Sequence, residues 1–262
     1  KVGNRGRLLT EAGIAESKRA LVEEQIGFII SKLERLAFRS TFDPVTGKGT
    51  VAYNLSLVRE DDLPGVTAAF DEVASAGYGF LNTYRVIETD PRIPDGHIGI
   101  MTACSITLDG VLQRMGIPTR LEYAGRIAVD ENGSASFLDL IGYRGTSVDP
   151  LHLFVSAGLT SINRLVTTGA GVALANVRAV PSAAGSRVEE VVGLMEERGF
   201  NFPARRGIGE FNLPEHPYRL FIVAFTGMNM VGSAIEKGYT VKTEIGAGTT
   251  PFEDLVGATG SR

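Results

Sequence analysis

The apolar positions of this chain recur with two different periods, and the changes between them mark out its elements. Within residues 14–38, Val22, Ile26, Ile29, Leu33 and Leu36 are spaced 4, 3, 4 and 3, which predicts a long amphipathic helix with a heptad-like seam flanked by Glu23, Glu24, Lys32, Glu34 and Arg35. Over 22–36 such a seam either pairs with its copy in a second subunit or docks on its own domain, and two heptads do not decide between them. TFDPVTGKGT at 41–50 is turn chemistry; it lacks the G-x-x-x-x-G-K-[ST] spacing of a phosphate-binding loop. Residues 50–58 then alternate Val51, Tyr53, Leu55 and Leu57 with Ala52, Asn54 and Ser56, as a half-buried strand does. Asp61 and Asp62 precede a helical run through Val66, Phe70 and Val73 that stops at Gly77. A strand at 84–87, the loop DPRIPDG, a strand-to-helix stretch at 98–118 and a strand at 120–129 complete a β-α-β-β-α-β order, the split βαβ arrangement of ferredoxin-like folds. DENG at 130–133 turns the chain into a further strand at 136–143.

The same pattern occurs twice. TGKG at Thr46 has a counterpart TGAG at Thr168, an offset of 122, and the register then holds without a gap. Asn54 matches Asn176, Val58 matches Val180, Val66 matches Val188, Gly77 matches Gly199, Ile100 matches Ile222, Gly110 matches Gly232 and Gly116 matches Gly238. The expected architecture is therefore α+β (mixed α/β), with internally duplicated ferredoxin-like units at about 41–142 and 168–256. A long helix precedes them and a segment at 143–167 connects them.

Composition narrows the setting. With 262 residues, 44% hydrophobic and 21% charged, the chain can bury a sizeable core. A net charge of −4 argues against a nucleic-acid surface on the body of the chain. Cys104 is the single cysteine, so no intrachain disulfide forms, and a reducing cytoplasm is the expected compartment. No apolar run approaches a membrane span, and KVGNRGRLLTEAG lacks the apolar core of a signal peptide.

The chemistry worth weighing gathers where strand becomes helix. In IGIMTACSITLDGVLQRMGIP, 98–118, the residues Thr102, Cys104, Ser105 and Thr107 crowd a helix start, whose first N–H groups have no intrahelical partner and attract anions. Ser105 or Thr107 acting as an ordinary cap explains the same residues. The repeat supplies a twin at 220–239, where Thr226-Gly227-Met228-Asn229 faces Cys104-Ser105-Ile106-Thr107, so Thr226 and Asn229 join the candidates. Two such junctions side by side would cradle a molecule with two anionic ends. In the connecting segment Arg144, beside Thr146, is the cation best placed for a carboxylate, and a solvated surface arginine is the alternative. His97, His152 and His216 form no short-range metal pattern, so neither a metal nor a cofactor is expected. Cys104 as a nucleophile on a small carboxylic acid would make the protein an enzyme, but no GxSxG or GxGxxG accompanies it.

Taken together, ALVEEQIGFIISKLERLAFRSTFDPVTGKG, HIGIMTACSITLDGVLQRMGIP, YRGTSVDPLHLFVSAGLTS and TGAGVALANVR closely resemble the regulatory domain of the NrpR family of nitrogen-responsive transcriptional repressors. The resemblance implies that residues 1–18, with NRGRLLTEAG, are the remnant of an N-terminal winged-helix DNA-binding domain, and that 19–262 form the regulatory domain. It further implies a sensor without catalysis that binds 2-oxoglutarate and thereby controls DNA binding through the missing N-terminal domain. The expected effector contacts are Thr102, Cys104, Ser105, Thr107, Arg144, Thr146, Thr226 and Asn229. A homodimer or higher homo-oligomer is expected as well. A small-carboxylate enzyme and a non-catalytic oligomerisation scaffold are the rivals.

Overall fold

The computed structural model describes residue 10 and residues 28–203, 211–213 and 216–257. The first described helix, α1 (Phe28–Arg39), turns Leu33, Leu36 and Ala37 into the protein's own core. The seam positions Leu33 and Leu36 are thus occupied at home, while Val22 and Ile26 lie outside the described residues. The turn after α1 is held by Asp43, whose carboxylate accepts hydrogen bonds from the Val45 amide and the Thr46 hydroxyl. Gly49 closes it at φ +104°, where a Cβ would come within 2.3 Å of the Thr41 carbonyl oxygen.

The first unit runs β1 (Thr50–Arg59), α2 (Leu63–Ser75), β2 (Tyr84–Ile87), β3 (His97–Ala103), α3 (Ile106–Arg114) and β4 (Arg120–Val129), with a short 3-10 turn, Glu60–Asp62, ahead of α2. A hairpin through Asp130, whose carboxylate accepts from the Asn132 and Ser134 amides, leads into β5 (Ala135–Gly142). The connecting segment folds into α4 (Pro150–Ser156) and α5 (Ile162–Thr168). Asp149 caps α4 through the Leu151 amide at 2.9 Å, and Pro150 occupies the first turn, where its missing N–H costs nothing. The Glu236 carboxylate, reaching over from the second unit, accepts from the Ile162 and Asn163 amides at the start of α5. The second unit then runs β6 (Gly171–Pro181), α6 (Gly185–Glu196), β7 (Arg219–Phe225), α7 (Met228–Glu236) and β8 (Lys242–Pro251), with α8 (Phe252–Val256) after it. The expected counterpart of β2 in this unit falls at 206–209, outside the described residues.

These strands make two four-stranded antiparallel sheets, ordered β2-β3-β1-β8 and β5-β4-β6-β7. The first has the ferredoxin-like order, but its fourth strand comes from the other repeat. β8 lies along β1 from Thr50↔Pro251 to Leu57↔Lys242. Reciprocally β4, the last strand of the first repeat, lies along β6 from Arg120↔Ala179 to Val129↔Gly171. The duplicated units therefore share their sheets: the final strands are exchanged. Alternation along a strand tells which face is buried and nothing about which neighbour it pairs with. The helices mix likewise, α2 packing on α7 and α3 on α6 and α1.

Candidate functional site

The two strand-to-helix junctions adjoin near the middle of the molecule. A Cβ added to Gly227, just before α7, would come within 2.7 Å of the Ala103 carbonyl oxygen and of Thr102 Oγ1, at the end of β3. Equivalent residues also do equivalent work. Thr107 Oγ1 accepts from the Ala52 amide at 3.0 Å and donates to the Cys104 carbonyl at 2.9 Å. Its repeat partner Asn229 accepts from the Leu174 amide at 2.8 Å through Oδ1, and donates through Nδ2 to the carbonyls of Leu174 and Tyr78. Ala52 and Leu174 are themselves repeat partners. Thr107 and Asn229 therefore fasten their helix starts to β1 and β6, and their polar atoms are engaged with backbone.

Asn54 and Asn176 form the next equivalent pair. Asn54 Nδ2 donates to Thr102 Oγ1 at 3.2 Å, and Asn54 Oδ1 accepts from the Gly246 amide where β8 bulges. Asn176 Nδ2 donates to Ser105 Oγ at 2.8 Å, while its Oδ1 accepts from the Tyr143 hydroxyl. Thr226 Oγ1 accepts from the Met228 amide at 3.2 Å, a local cap at the start of α7. The expectation that Ser105 is a capping hydroxyl is not met: it occupies the N-cap position of α3 without a side-chain cap bond.

What draws Ser105 away is a residue that the reading of the sequence passed over. Arg178 of β6 is fully buried, and its Nη2 donates to the Ser105 carbonyl at 2.7 Å and to Ser105 Oγ at 3.0 Å. Nε makes a 2.6 Å ion pair with Asp109 of α3, also buried. Nη1 is buried with no hydrogen-bond partner, an arrangement that costs about 1 to 3 kcal/mol or more for a charged donor. Here the twofold likeness of the repeats fails, because the partner of Arg178 is the uncharged Ser56 and that of Asp109 is Val231. The buried cation at one junction thus has an uncharged residue at its equivalent position in the other repeat.

Arg178 faces a chamber lined also by Leu33, Cys104, Ser105, Tyr143, Asp149 and Asn176, with room of about 10 Å³ for a single water-sized sphere. Burial pushes the Asp149 carboxyl up to about 6, opposed chiefly by the Leu151 amide. Burial also raises the Asp109 carboxyl, against the pull of Arg178. The Cys104 thiol is pushed up to about 11 by burial, and the Tyr143 phenol is raised well above its usual value. A neutral thiol at neutral pH is the reverse of what a nucleophilic cysteine needs.

Of the sequence candidates, Cys104 and Ser105 line the chamber; Thr102 and Thr226 are not in its lining, and Thr107 and Asn229 serve the backbone. Arg144 stands exposed on the loop before α4 and lies outside the cluster, and Thr146 Oγ1 donates to the Tyr143 carbonyl. Among the described residues no group of His, Cys, Asp and Glu side chains is arranged to hold a metal ion, and no helix is long and apolar enough to cross a membrane.

Residues 26–256 match the family profile described as NrpR regulatory domains NRD1 and 2. The global nitrogen regulator NrpRI of Methanosarcina mazei is 35% identical over 249 residues, which cover 93% of this chain and 77% of that protein. The global nitrogen regulator NrpR of Methanococcus maripaludis is 25% identical over 243 residues, covering 92% of this chain but 42% of its own length. Among solved structures, a nitrogen repressor-like protein from Methanococcus jannaschii matches the fold with a TM-score of 0.71 at 23% identity, over 86% of this chain and 96% of that one.

Proposed function

The chain belongs to the family of NrpR regulatory domains, and from that premise we propose that it is the effector-sensing domain of a cytoplasmic repressor of nitrogen-assimilation genes, binding 2-oxoglutarate to control the attachment of its DNA-binding domain to DNA. The observation that carries this reading is Arg178: a guanidinium held with one nitrogen unpartnered in a buried chamber, beside the start of α3. A carboxylate supplies what Nη1 lacks, and charge-assisted bonds of this kind are the strong ones. In this reading Arg178 takes the place first given to Arg144, with Ser105 and Cys104 beside it. Thr107 and Asn229 hold the two helix starts in position.

The chamber is too small for the ligand as it stands. Binding accordingly selects an arrangement in which α1, which contributes Leu33, and the loop before α4, which contributes Asp149, have drawn apart. That difference between states is what a sensor requires, since a ligand shifts an equilibrium only by binding two states unequally. A homodimer or higher oligomer completes the proposal, because dimeric DNA readers match two half-sites. Titration calorimetry of the chain with 2-oxoglutarate, with succinate and glutamate as controls, tests it. Saturable heat with 2-oxoglutarate is expected; no binding at millimolar concentration overturns the sensor reading, and turnover of a carboxylic acid lost in Cys104→Ser would favour an enzyme.

A further inference from the structure

Three residues of the chamber, Leu33, Asp149 and Ile245, also line an outer groove of about 280 Å³ bounded by Ile29, Lys32, Ser147, His152, Thr243 and Glu244. We infer that this groove is the outer half of the effector site and that Lys32 is its anion-binding residue, so that a small dicarboxylate directs one carboxylate at Arg178 and the other at Lys32. The inference rests on the sensor reading above and adds to it a residue of α1.

The present partners of Lys32 make it available. Its Nζ donates to Glu244 Oε1 at 3.1 Å and to the Ile245 carbonyl at 2.9 Å, with the side chain 30% exposed. A half-exposed pair of this kind contributes little, so exchanging it for a ligand carboxylate costs little. Glu244 is not stranded by the exchange, because its Oε2 also meets Arg92 Nη1 at 3.5 Å. Arg92 is fixed in turn by Asp90 and by the Tyr53 hydroxyl, both at 2.8 Å. The other ionisable groups lining the groove are Asp149, at its inner edge, and His152. Lys32 and Leu33 are consecutive, so the residue that receives the outer carboxylate and the residue that walls the chamber move together on α1. Occupancy of the site therefore acts directly on that helix.

The test is the affinity of the whole chain and of Lys32→Met, Lys32→Arg and Glu244→Gln for 2-oxoglutarate by calorimetry, with thermal unfolding of each as a control. Lys32→Met should weaken binding about ten- to a hundredfold, the worth of a hydrogen bond to a charged group. Lys32→Arg should retain most of the affinity, and Glu244→Gln, which frees Lys32 from its competitor, should tighten binding. Lys32→Met within about twofold of the parent overturns the inference and leaves the Arg178 site standing; so does a Glu244→Gln variant as weak as Lys32→Met, which would make the ion pair structural. A parent chain that binds no 2-oxoglutarate overturns the sensor reading and this inference together.

Discussion

Thr107 and Asn229, 122 positions apart, perform one task in the two repeats: each ties the start of a helix to the backbone of a strand, Thr107 to Ala52 and Asn229 to Leu174. The two are not equally invested. Asn229 serves three backbone groups, the buried amide and carbonyl of Leu174 and the part-buried carbonyl of Tyr78. Asn229→Ala should therefore destabilise by about 3 kcal/mol, whereas Thr107→Ser, which keeps the hydroxyl, should cost less than about 1 kcal/mol. Urea unfolding midpoints compared at constant m-value decide the matter.

Arg178 and Asp109 make the deepest ion pair described. Arg178→Met leaves the Asp109 carboxylate buried and unpaired, an expected loss of about 3 to 5 kcal/mol. Adding Asp109→Leu removes the stranded charge and should restore most of that stability, because well-packed apolar replacements of a buried pair are often neutral or better. Neither variant should bind 2-oxoglutarate. Thermal unfolding joined to calorimetry separates the two effects, and a double variant that folds and binds normally would remove Arg178 from the site.

Asp149 titrates near 6 in the folded protein, above its ordinary value of 3.8. An acid whose pKa is raised by folding binds its proton more tightly in the native state. Its contribution is complete below about pH 4 and is lost as pH rises through about 6. Asparagine caps a helix as well as aspartate does, so Asp149→Asn removes the titration and keeps the cap on α4. The variant should match the parent near pH 4 and exceed it above pH 6 by up to about 3 kcal/mol. Effector affinity of the parent should fall as pH rises through about 6, where the charged carboxylate comes to face an anion; in Asp149→Asn it should not.

The exchange of final strands predicts how the chain behaves when cut. Separated at the exposed loop 144–145, the fragments 28–144 and 145–257 each lack the strand that closes their own sheet. Alone, neither should unfold cooperatively; mixed, they should recover the native circular dichroism and a single transition. A fragment that melts cooperatively alone would show that its sheet does not need the exchanged strand.

The local elements were legible from periodicity, but the strand expected to be half-buried is buried on both faces, with Ala52, Asn54 and Ser56 as enclosed as Val51 and Leu55, because helices and the other repeat cover it. The strand expected at 50–58 is Thr50–Arg59, and the strand-to-helix junction inside 98–118 falls at Cys104 and Ser105. The duplication was legible too, since the shared glycines and buried positions keep one offset through both copies. The exchange of β4 and β8 was not, because no alternation pattern names a strand's neighbour. Arg178 was not legible for a different reason: in ANVRAV it reads as a strand residue, whereas Arg144 sits in a polar loop, the kind of place where a ligand-binding cation is expected. The signal lay in the repeat itself, where an arginine replaces the serine at Ser56 within a strand whose other polar side chain, Asn176, is matched by Asn54. A departure from internal symmetry marked the residue proposed to meet the effector, where the symmetric positions did not.

The shared sheets also set an order in time. During synthesis β1, β2 and β3 leave the ribosome well before β8, so the sheet begun first is finished last. Until Pro251 can lie opposite Thr50, one edge of β1 is a row of unpaired amides and carbonyls, the kind of edge that recruits other chains. The second sheet faces no such delay, because β4 and β5 already exist when β6 and β7 emerge to pair with them. A newborn chain thus closes its later sheet first and keeps its earlier one open, which makes the pairing of β8 with β1 the slow, non-local closing step of folding.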